Sequence, residues 1–285
     1  MDIGIGLPAT IPDVDGQTVI EWARRADAAG FTSLGVIDRL VYPNYEPLAA
    51  LAAAAGVTTR ARLVTAVLLA PLRPNAALLA KQAASINRLS GGRFTLGLGL
   101  GGREDDFEES GVSLKDRGKT MDSHLQELDR VWSGQVTGLA PSPMGPPGRP
   151  ELIIGGSVQA SFDRVARHAD GWIMGGGTPD QFAEGKQAVD RAWAAAGRDG
   201  RPRNLALAYF ALGPDGPAAA DRYLHHYYGF LGDIADAIAS SAATDPGTVR
   251  GYLDAFAAAG VDELILFPCS PDLEQVALLA EAAGI

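Results

Sequence analysis

Two glycine clusters occupy the same kind of place in this chain. Gly155-Gly156-Ser157 and Gly175-Gly176-Gly177 each follow a short apolar run and precede a helical one. Backbone N–H groups at a helix start, backed by a serine hydroxyl and the helix dipole, bind phosphate well. Plain strand-to-helix turns use the same residues. A third cluster, residues 97–102, ends an apolar strand and offers Gly99 and Gly101 as a floor under something flat or anionic. Gly97, Gly99 and Gly102 also match G-x-G-x-x-G, but that fingerprint needs a helix to open at once. Residues 103–109, rich in Asp and Glu, read here as a charged loop.

Asp38-Arg39 follows the apolar run 33–37. Arg39 has the fork geometry to hold a carbonyl or carboxylate, with Asp38 orienting it. An ion pair that only shapes the loop uses the same two residues. Tyr42 and Tyr45 nearby wall a pocket or cover a loop. The four histidines, at 124, 168, 225 and 226, form no ligand set, so no metal site is expected. Ser157 lacks the G-x-S-x-G elbow of a nucleophile. Cys269 reads as a buried, inert thiol. Glycine cradles without an acid–base triad point to a cofactor that supplies the chemistry.

The elements that must position these residues alternate along the chain. Strand-like runs fall at 1–7, 33–37, 62–69, 94–98, 152–154, 171–174, 205–212 and 263–267. Helical runs fall at 18–29, 46–55, 75–89, 117–132, 157–169, 179–196, 218–243, 248–259 and 272–283, with Thr178 and Pro179 as a helix start. Residues 133–150 carry five prolines and four glycines, a loop after which the alternation resumes. This loop and 103–111 are expected to move without ligand, the latter capping the pocket. Eight strand–helix units in 285 residues predict one α/β domain over 1–285, a (β/α)₈ TIM barrel. Ligand groups then sit where strands end.

A net charge of −10 argues against nucleic acid and against an anionic membrane surface. The single cysteine admits no internal disulfide and fits a reducing compartment. The first residues show no basic-then-apolar leader. A cytoplasmic protein is expected.

Several segments resemble the bacterial luciferase-like flavin oxidoreductases. They are Ala26-x-x-Ala29-Gly30-Phe31-Thr32-Ser33-Leu34, Pro74 with Leu79-Ala80-Lys81-Gln82-Ala83, and Leu89-Ser90-Gly91-Gly92-Arg93. Pro150 through Gly155-Gly156-Ser157 and Ala169-Asp170-Gly171-Trp172 follow in the family's order. The resemblance implies a luciferase-like TIM barrel that binds FMN or the deazaflavin coenzyme F-420 at the C-terminal ends of its strands. It makes Thr65-Ala66-Val67 a bulge behind the isoalloxazine ring, often with a non-proline cis peptide. It assigns Gly155, Gly156, Ser157, Gly175, Gly176 and Gly177 to the phosphate.

Many members carry Asp-His where this chain has Asp38-Arg39, a departure that favours FMN. The family's insertion after strand seven is expected to be reduced. The resemblance thus implies a monooxygenase using reduced FMN, delivered by a separate reductase, and O₂ on a small organic substrate; Arg39, read from its residue type and place, is expected to stabilise negative charge there. A deazaflavin-dependent hydride-transfer enzyme and a non-catalytic flavin-binding protein are the alternatives. A homodimer is compatible with the chain, whose residues leave the oligomeric state open.

Overall fold

The computed structural model describes residues 1–136, 138–139 and 148–285. Eight parallel strands close into a ring, β1 (Asp2–Gly6), β2 (Ser33–Val36), β3 (Arg62–Thr65, continued by Leu68–Leu69), β4 (Phe94–Gly99), β5 (Glu151–Gly155), β6 (Gly171–Met174), β7 (Arg203–Phe210) and β8 (Glu263–Pro268). β8 pairs back onto β1, and β3 pairs with β4, so no edge is left open. The expected barrel is present.

Side chains alternate between two buried layers, as the two-residue strand period requires. Leu63, Ile154, Trp172, Ala206 and Leu264 face the outer helices. Val64, Ile153, Ile173, Leu205 and Ile265 fill the barrel interior. The foot of the barrel is closed by charge. Glu263, fully buried, accepts from Thr32 Oγ1 at 2.7 Å and from Arg203. Glu151 accepts from Arg203 Nη1 at 2.7 Å and Thr95 Oγ1 at 2.6 Å.

The helices are α1 (Gly16–Ala29), α2 (Pro47–Ala55), α3 (Ala76–Leu89), α4 (Glu104–Ser110), α5 (Arg117–Trp132), α6 (Gln159–His168), α7 (Pro179–Ala195), α8 (Gly216–Tyr228), α9 (Asp233–Ser240), α10 (Pro246–Ala258) and α11 (Glu274–Ala283). Among the described residues, no helix is long and apolar enough to cross a membrane. Two expectations need correction. Residues 103–109 are mostly helix α4, because three acidic residues in its first turn suit the helix dipole. The run 218–243 breaks at Gly229–Leu231 and Gly232 into α8 and α9. Both helices lie between β7 and α10, and α8 brings Ala219, Ala220, Tyr223, Leu224 and Tyr227 onto the barrel-interior cluster. Two helices therefore stand after the seventh strand and roof the barrel. Of the expected 133–150 loop, residues 137 and 140–147 lie outside the described residues.

β3 is not continuous. Val64 pairs with Thr95 and Leu68 with Leu98, so residues 65–67 stand opposite only 96 and 97. One extra residue makes a bulge, and the Ala66–Val67 peptide within it is cis. β4 makes room with glycine. A Cβ on Gly97 would lie 1.9 Å from the Thr65 carbonyl oxygen, and one on Gly99 would lie 2.4 Å from Val67 Cγ2. Thr65 Oγ1 stitches the bulge down, accepting from Gly97 N at 2.7 Å and donating to Gly97 O at 2.8 Å.

Gly97→Ala should therefore cost about 1–3 kcal/mol or more, because a backbone carbonyl must move. Gly102→Ala, whose Cβ meets nothing within 4 Å, should stay within about 0.5 kcal/mol of the parent. Urea midpoints at unchanged m-value check both, and equal stability of the two variants would refute the packing account.

Candidate functional site at the barrel mouth

The bulge delivers Val67 to the C-terminal end of the barrel. Thr65 and Ala66 are buried, while Val67 is half-buried and rests between two strands. A Cβ on Gly99 or Gly155 would meet its methyls, at 2.4 Å and 3.1 Å respectively. The space beside Gly99 is thus filled by Val67, and that beside Gly101 by Leu69 and Phe107. At Gly99 the missing side chain makes room for the bulge, while Gly101, the other residue expected as a floor, stands against Leu69 and Phe107. The surface offered at the mouth is Val67 itself.

Next to it stand the two glycine turns. The Gly156 carbonyl is tied to the scaffold, accepting from Trp172 Nε1 at 2.8 Å. Trp172 in turn packs between Phe162 of α6 and Phe182 of α7. Residues 156–160 are exposed, and α6 begins after Val158, its N-cap, with no side chain capping it. Its first-turn N–H groups, with the Ser157 hydroxyl, are open to an anion. α7 differs. Thr178 and Gln181 form a capping box that already occupies its start. The neighbouring Gly175 and Gly176 are exposed, and a Cβ on either would meet nothing within 4 Å. The donors available to a phosphate are neutral: backbone N–H groups and one hydroxyl.

Asp38 and Arg39 do not pair with each other. Asp38 Oδ2 accepts from Leu69 N at 2.8 Å and Arg73 Nη1 at 2.6 Å, which fastens the chain just after the bulge. Arg39, its side chain only 5 % exposed, donates from Nε to Asp106 Oδ2 at 2.7 Å. The Asp106 carboxylate, 1 % exposed, also accepts from Leu40 N and Val41 N at 3.1 Å and 2.6 Å. The partner of Arg39 thus comes from α4, in the stretch expected to be a loop. Rings of Tyr42, Tyr227 and Phe230 surround the guanidinium at 5.5–5.9 Å. Its Nη1 is buried with no partner. Arg39 is a fixed, buried cation with one donor unspent.

The roof adds residues that the sequence did not single out. Tyr209 of β7 and Tyr228 of α8 bring their hydroxyls to 2.6 Å, and Tyr223 holds Thr10 Oγ1 at 2.8 Å. Burial raises the pKa of Tyr209, Tyr223 and Tyr227 well above the usual phenol value. Tyr42 is pushed up to about 12 by burial, with Arg39 pulling the other way. All stay protonated at neutral pH. Cys269 is buried and its thiol is likewise raised, so it is no nucleophile. Among the described residues no group of three His, Cys, Asp or Glu stands together as a metal site. The only sequence trace of the roof was an aromatic i, i+4 stripe at Tyr223 and Tyr227, which a core helix also shows.

Between the 175–177 turn, β7 and the helices α9 and α10 lies a cavity of about 580 Å³. Gly175, Gly176 and Gly177 border it, and Tyr209 and Tyr228 stand in its wall. The 155–157 turn lies on the neighbouring strand, outside this lining.

Removing one member of the Arg39–Asp106 pair leaves a buried charge uncompensated. Arg39→Ala and Asp106→Ala should each cost about 3–5 kcal/mol, with the double variant losing far less than the sum. Asp38→Ala should add to Arg39→Ala with little coupling, since their partners differ. A double-mutant cycle in urea decides it, and strong Asp38–Arg39 coupling would contradict the pairing. Asp105 provides an acid-limb test. The Arg103 hydrogen bond holds its carboxyl at about 2, below the ordinary 3.8. Its contribution is whole above the ordinary value and lost as pH falls toward the folded one. Asp105→Asn should flatten stability between about pH 4 and 2, read by thermal melts; an unchanged slope would dismiss it.

Comparison with known proteins places the chain among relatives of the same fold. An uncharacterized protein of Mycobacterium tuberculosis is 32% identical over 213 residues, 63% of this chain and 72% of the relative. An FMNH2-dependent dimethylsulfone monooxygenase of Pseudomonas fluorescens is 27% identical over 223 residues, 65% and 59% of the two chains. A solved coenzyme F-420-dependent secondary alcohol dehydrogenase, bound to a coenzyme–acetone adduct, superposes with a TM-score of 0.83 at 18% identity, covering 99% of this chain and 97% of that one. The model of the luciferase-like monooxygenase family matches residues 1–283, and the chain belongs to that family.

Proposed function

We propose that this protein is a flavin-dependent monooxygenase that uses reduced FMN and O₂ on a small organic substrate. The observation that carries the reading is the mouth itself: Val67, raised by the bulge, stands beside an uncapped helix start and an open glycine turn. In this reading Thr65, Ala66 and Val67 back the flavin ring. Gly155, Gly156 and Ser157, with Gly175, Gly176 and Gly177, receive its phosphate. The neutral donor set suits that role, since a helix N-terminus and backbone N–H groups bind phosphate without a cationic side chain.

Bound reduced flavin supplies the electrons that activate O₂. The chain's own residues supply placement and charge. Arg39 is permanently protonated, so it cannot exchange a proton with a substrate. It holds a positive charge near the strand ends, fixed by Asp106 and the aromatic rings, and would act on an anion at the mouth through its field, since Nη1 is buried. That favours oxygen chemistry over a hydride transfer assisted by a proton-exchanging side chain at this position. Asp38 is a positioning residue that holds Leu69 and Arg73. The α8–α9 roof restricts water over the barrel interior. A separate flavin reductase, a homodimer and a cytoplasmic setting belong to the same proposal.

Titration with FMN and with the deazaflavin, oxidised and reduced, followed by visible absorbance and fluorescence, tests this. Saturable binding of FMN and oxygen-dependent oxidation of its reduced form are expected. Binding of the deazaflavin alone would transfer the chain to hydride transfer. Flavin binding without turnover of any substrate would make it a carrier. Gly175→Val should weaken FMN binding by about tenfold or more while leaving the melting temperature near the parent's, because its side chain enters open space. Gly156→Val is a poorer probe: a Cβ there would lie 2.3 Å from Ser161 Oγ, at a φ of +133°. Unchanged FMN affinity in Gly175→Val would refute the phosphate assignment.

A further inference from the structure

His225 and His226 are consecutive on α8, so their side chains leave the helix about 100° apart. Each reaches a different neighbour. His226 Nδ1 meets the Tyr42 hydroxyl at 2.6 Å, in the loop after β2. His225 Nε2 meets Asp236 Oδ1 of α9 at 2.8 Å, and its Nδ1 meets the Asp221 carbonyl oxygen of its own helix at 2.8 Å. The Asp221 carboxylate stands 3.1 Å from the same Nδ1. Both ring nitrogens of His225 thus face oxygens that only accept. A neutral imidazole has one N–H and would turn a lone pair toward one of them, whereas the imidazolium satisfies both. The hollow around His225 is lined from α8, α9 and residues 242–244. Among the described residues, its only other charged side chains are Asp221 and Asp236.

The helix that His225 holds is lightly anchored. In α9 Ala235 alone is buried, Ile238 and Ala239 are half-buried, and the other five residues are exposed. The helix begins after Gly232, at a φ of +58°, and ends where Tyr252 Oη donates to Ser241 O at 2.5 Å. Between those ends Asp236 ties it across to α8. Ile234, Ala237 and Ile238 of this helix wall the cavity beside the 175–177 turn. A segment with few buried apolar contacts opens locally at low cost, so one charged contact weighs on it.

We propose that His225 is a proton-operated clasp on this cavity wall. As imidazolium it fastens α9 to α8 through Asp236, and on losing its proton it frees α9 to open from the cavity. The clasp goes beyond the flavin reading and does not rest on it. The Asp236 carboxylate first, then the Asp221 carbonyl, hold the imidazole above the ordinary histidine value of 6.5. Its contribution is therefore whole below the ordinary value and lost as pH rises through the higher folded one. His225 is partly exposed and both aspartates largely so, which keeps the effect modest and open to screening by salt.

Hydrogen exchange of the full chain, read by mass spectrometry and normalised to the intrinsic chemical rate at each pH, tests the clasp. Between about pH 6 and 8.5, exchange of α9 should quicken about two- to fivefold, while α10 and β7 hold constant. Asp236→Asn keeps an acceptor but removes the charge. It should leave α9 at the fast level and erase most of the pH dependence. His225→Gln should erase it too. His226→Gln, which leaves the Asp236 contact in place, should keep the parent's profile. Asp236 and His226 are exposed, and circular dichroism checks that each variant folds. An α9 rate in the parent that follows the intrinsic chemistry alone would overturn the proposal. So would an Asp236→Asn variant that keeps the parent's pH dependence, or a profile that disappears in His226→Gln.

Discussion

One extra residue in a strand sets the geometry of this barrel's mouth. Residues 65–67 face only two residues of β4, and the surplus has nowhere to go but upward, toward the C-terminal end. Strands about 4.8 Å apart leave no room for it beside ordinary side chains. The glycines at 97, 99 and 155 are what make that room, since each would place a Cβ against the bulge. Below, Thr65 Oγ1 bonds both the N–H and the carbonyl of Gly97. Above, Asp38 takes the N–H of Leu69 and the guanidinium of Arg73. The position of Val67 is therefore overdetermined from three strands, which is what a site needs when it must hold a flat group without moving.

The loop after β2 is organised by that same fastening. With Asp38 committed to the chain after the bulge, the adjacent Arg39 points to another partner, and α4 provides Asp106. Asp106 also receives two backbone N–H groups from residues 40 and 41, so the loop and the helix hold each other. Three aromatic rings complete the enclosure of the cation, one from the loop and two from the α8–α9 roof. Burying a guanidinium this far is costly unless its partner is equally buried and well bonded. Asp106 meets that condition, and the cost explains why roof, loop and α4 meet at one point.

Much of this architecture was readable from residue patterns. The alternation of apolar runs gave the barrel and the place of its ligand face, and Thr178-Pro179 marked the start of α7 by capping chemistry alone. The glycine clusters marked the mouth, but their roles could not be told apart. Gly99 and Gly101 face protein, while Gly175 and Gly176 face open space, and only the neighbours on other strands decide which. Asp38-Arg39 read as a pair because the two are adjacent, yet adjacent residues leaving a strand point in opposite directions. The true partner lies 67 residues away in a helix of seven residues whose acidic run has no apolar periodicity to reveal it. The roof was hidden for a similar reason: Tyr223 and Tyr227 keep helical spacing whether they cover a barrel or pack into any core.

The distribution of charge bears on the chemistry more than the fold does. Related barrels serve both flavin and deazaflavin, so architecture alone does not choose between them. What this chain contributes is a guanidinium held by a buried carboxylate where the strands end. A group able to shuttle protons at position 39 would suit chemistry in which a substrate oxygen gains or loses one. A permanent charge suits chemistry in which negative charge gathers on oxygen and must be stabilised until it is transferred. The oxygen chemistry proposed for this chain therefore rests on the buried Arg39–Asp106 pair and on its place at the strand ends, not on the barrel as such.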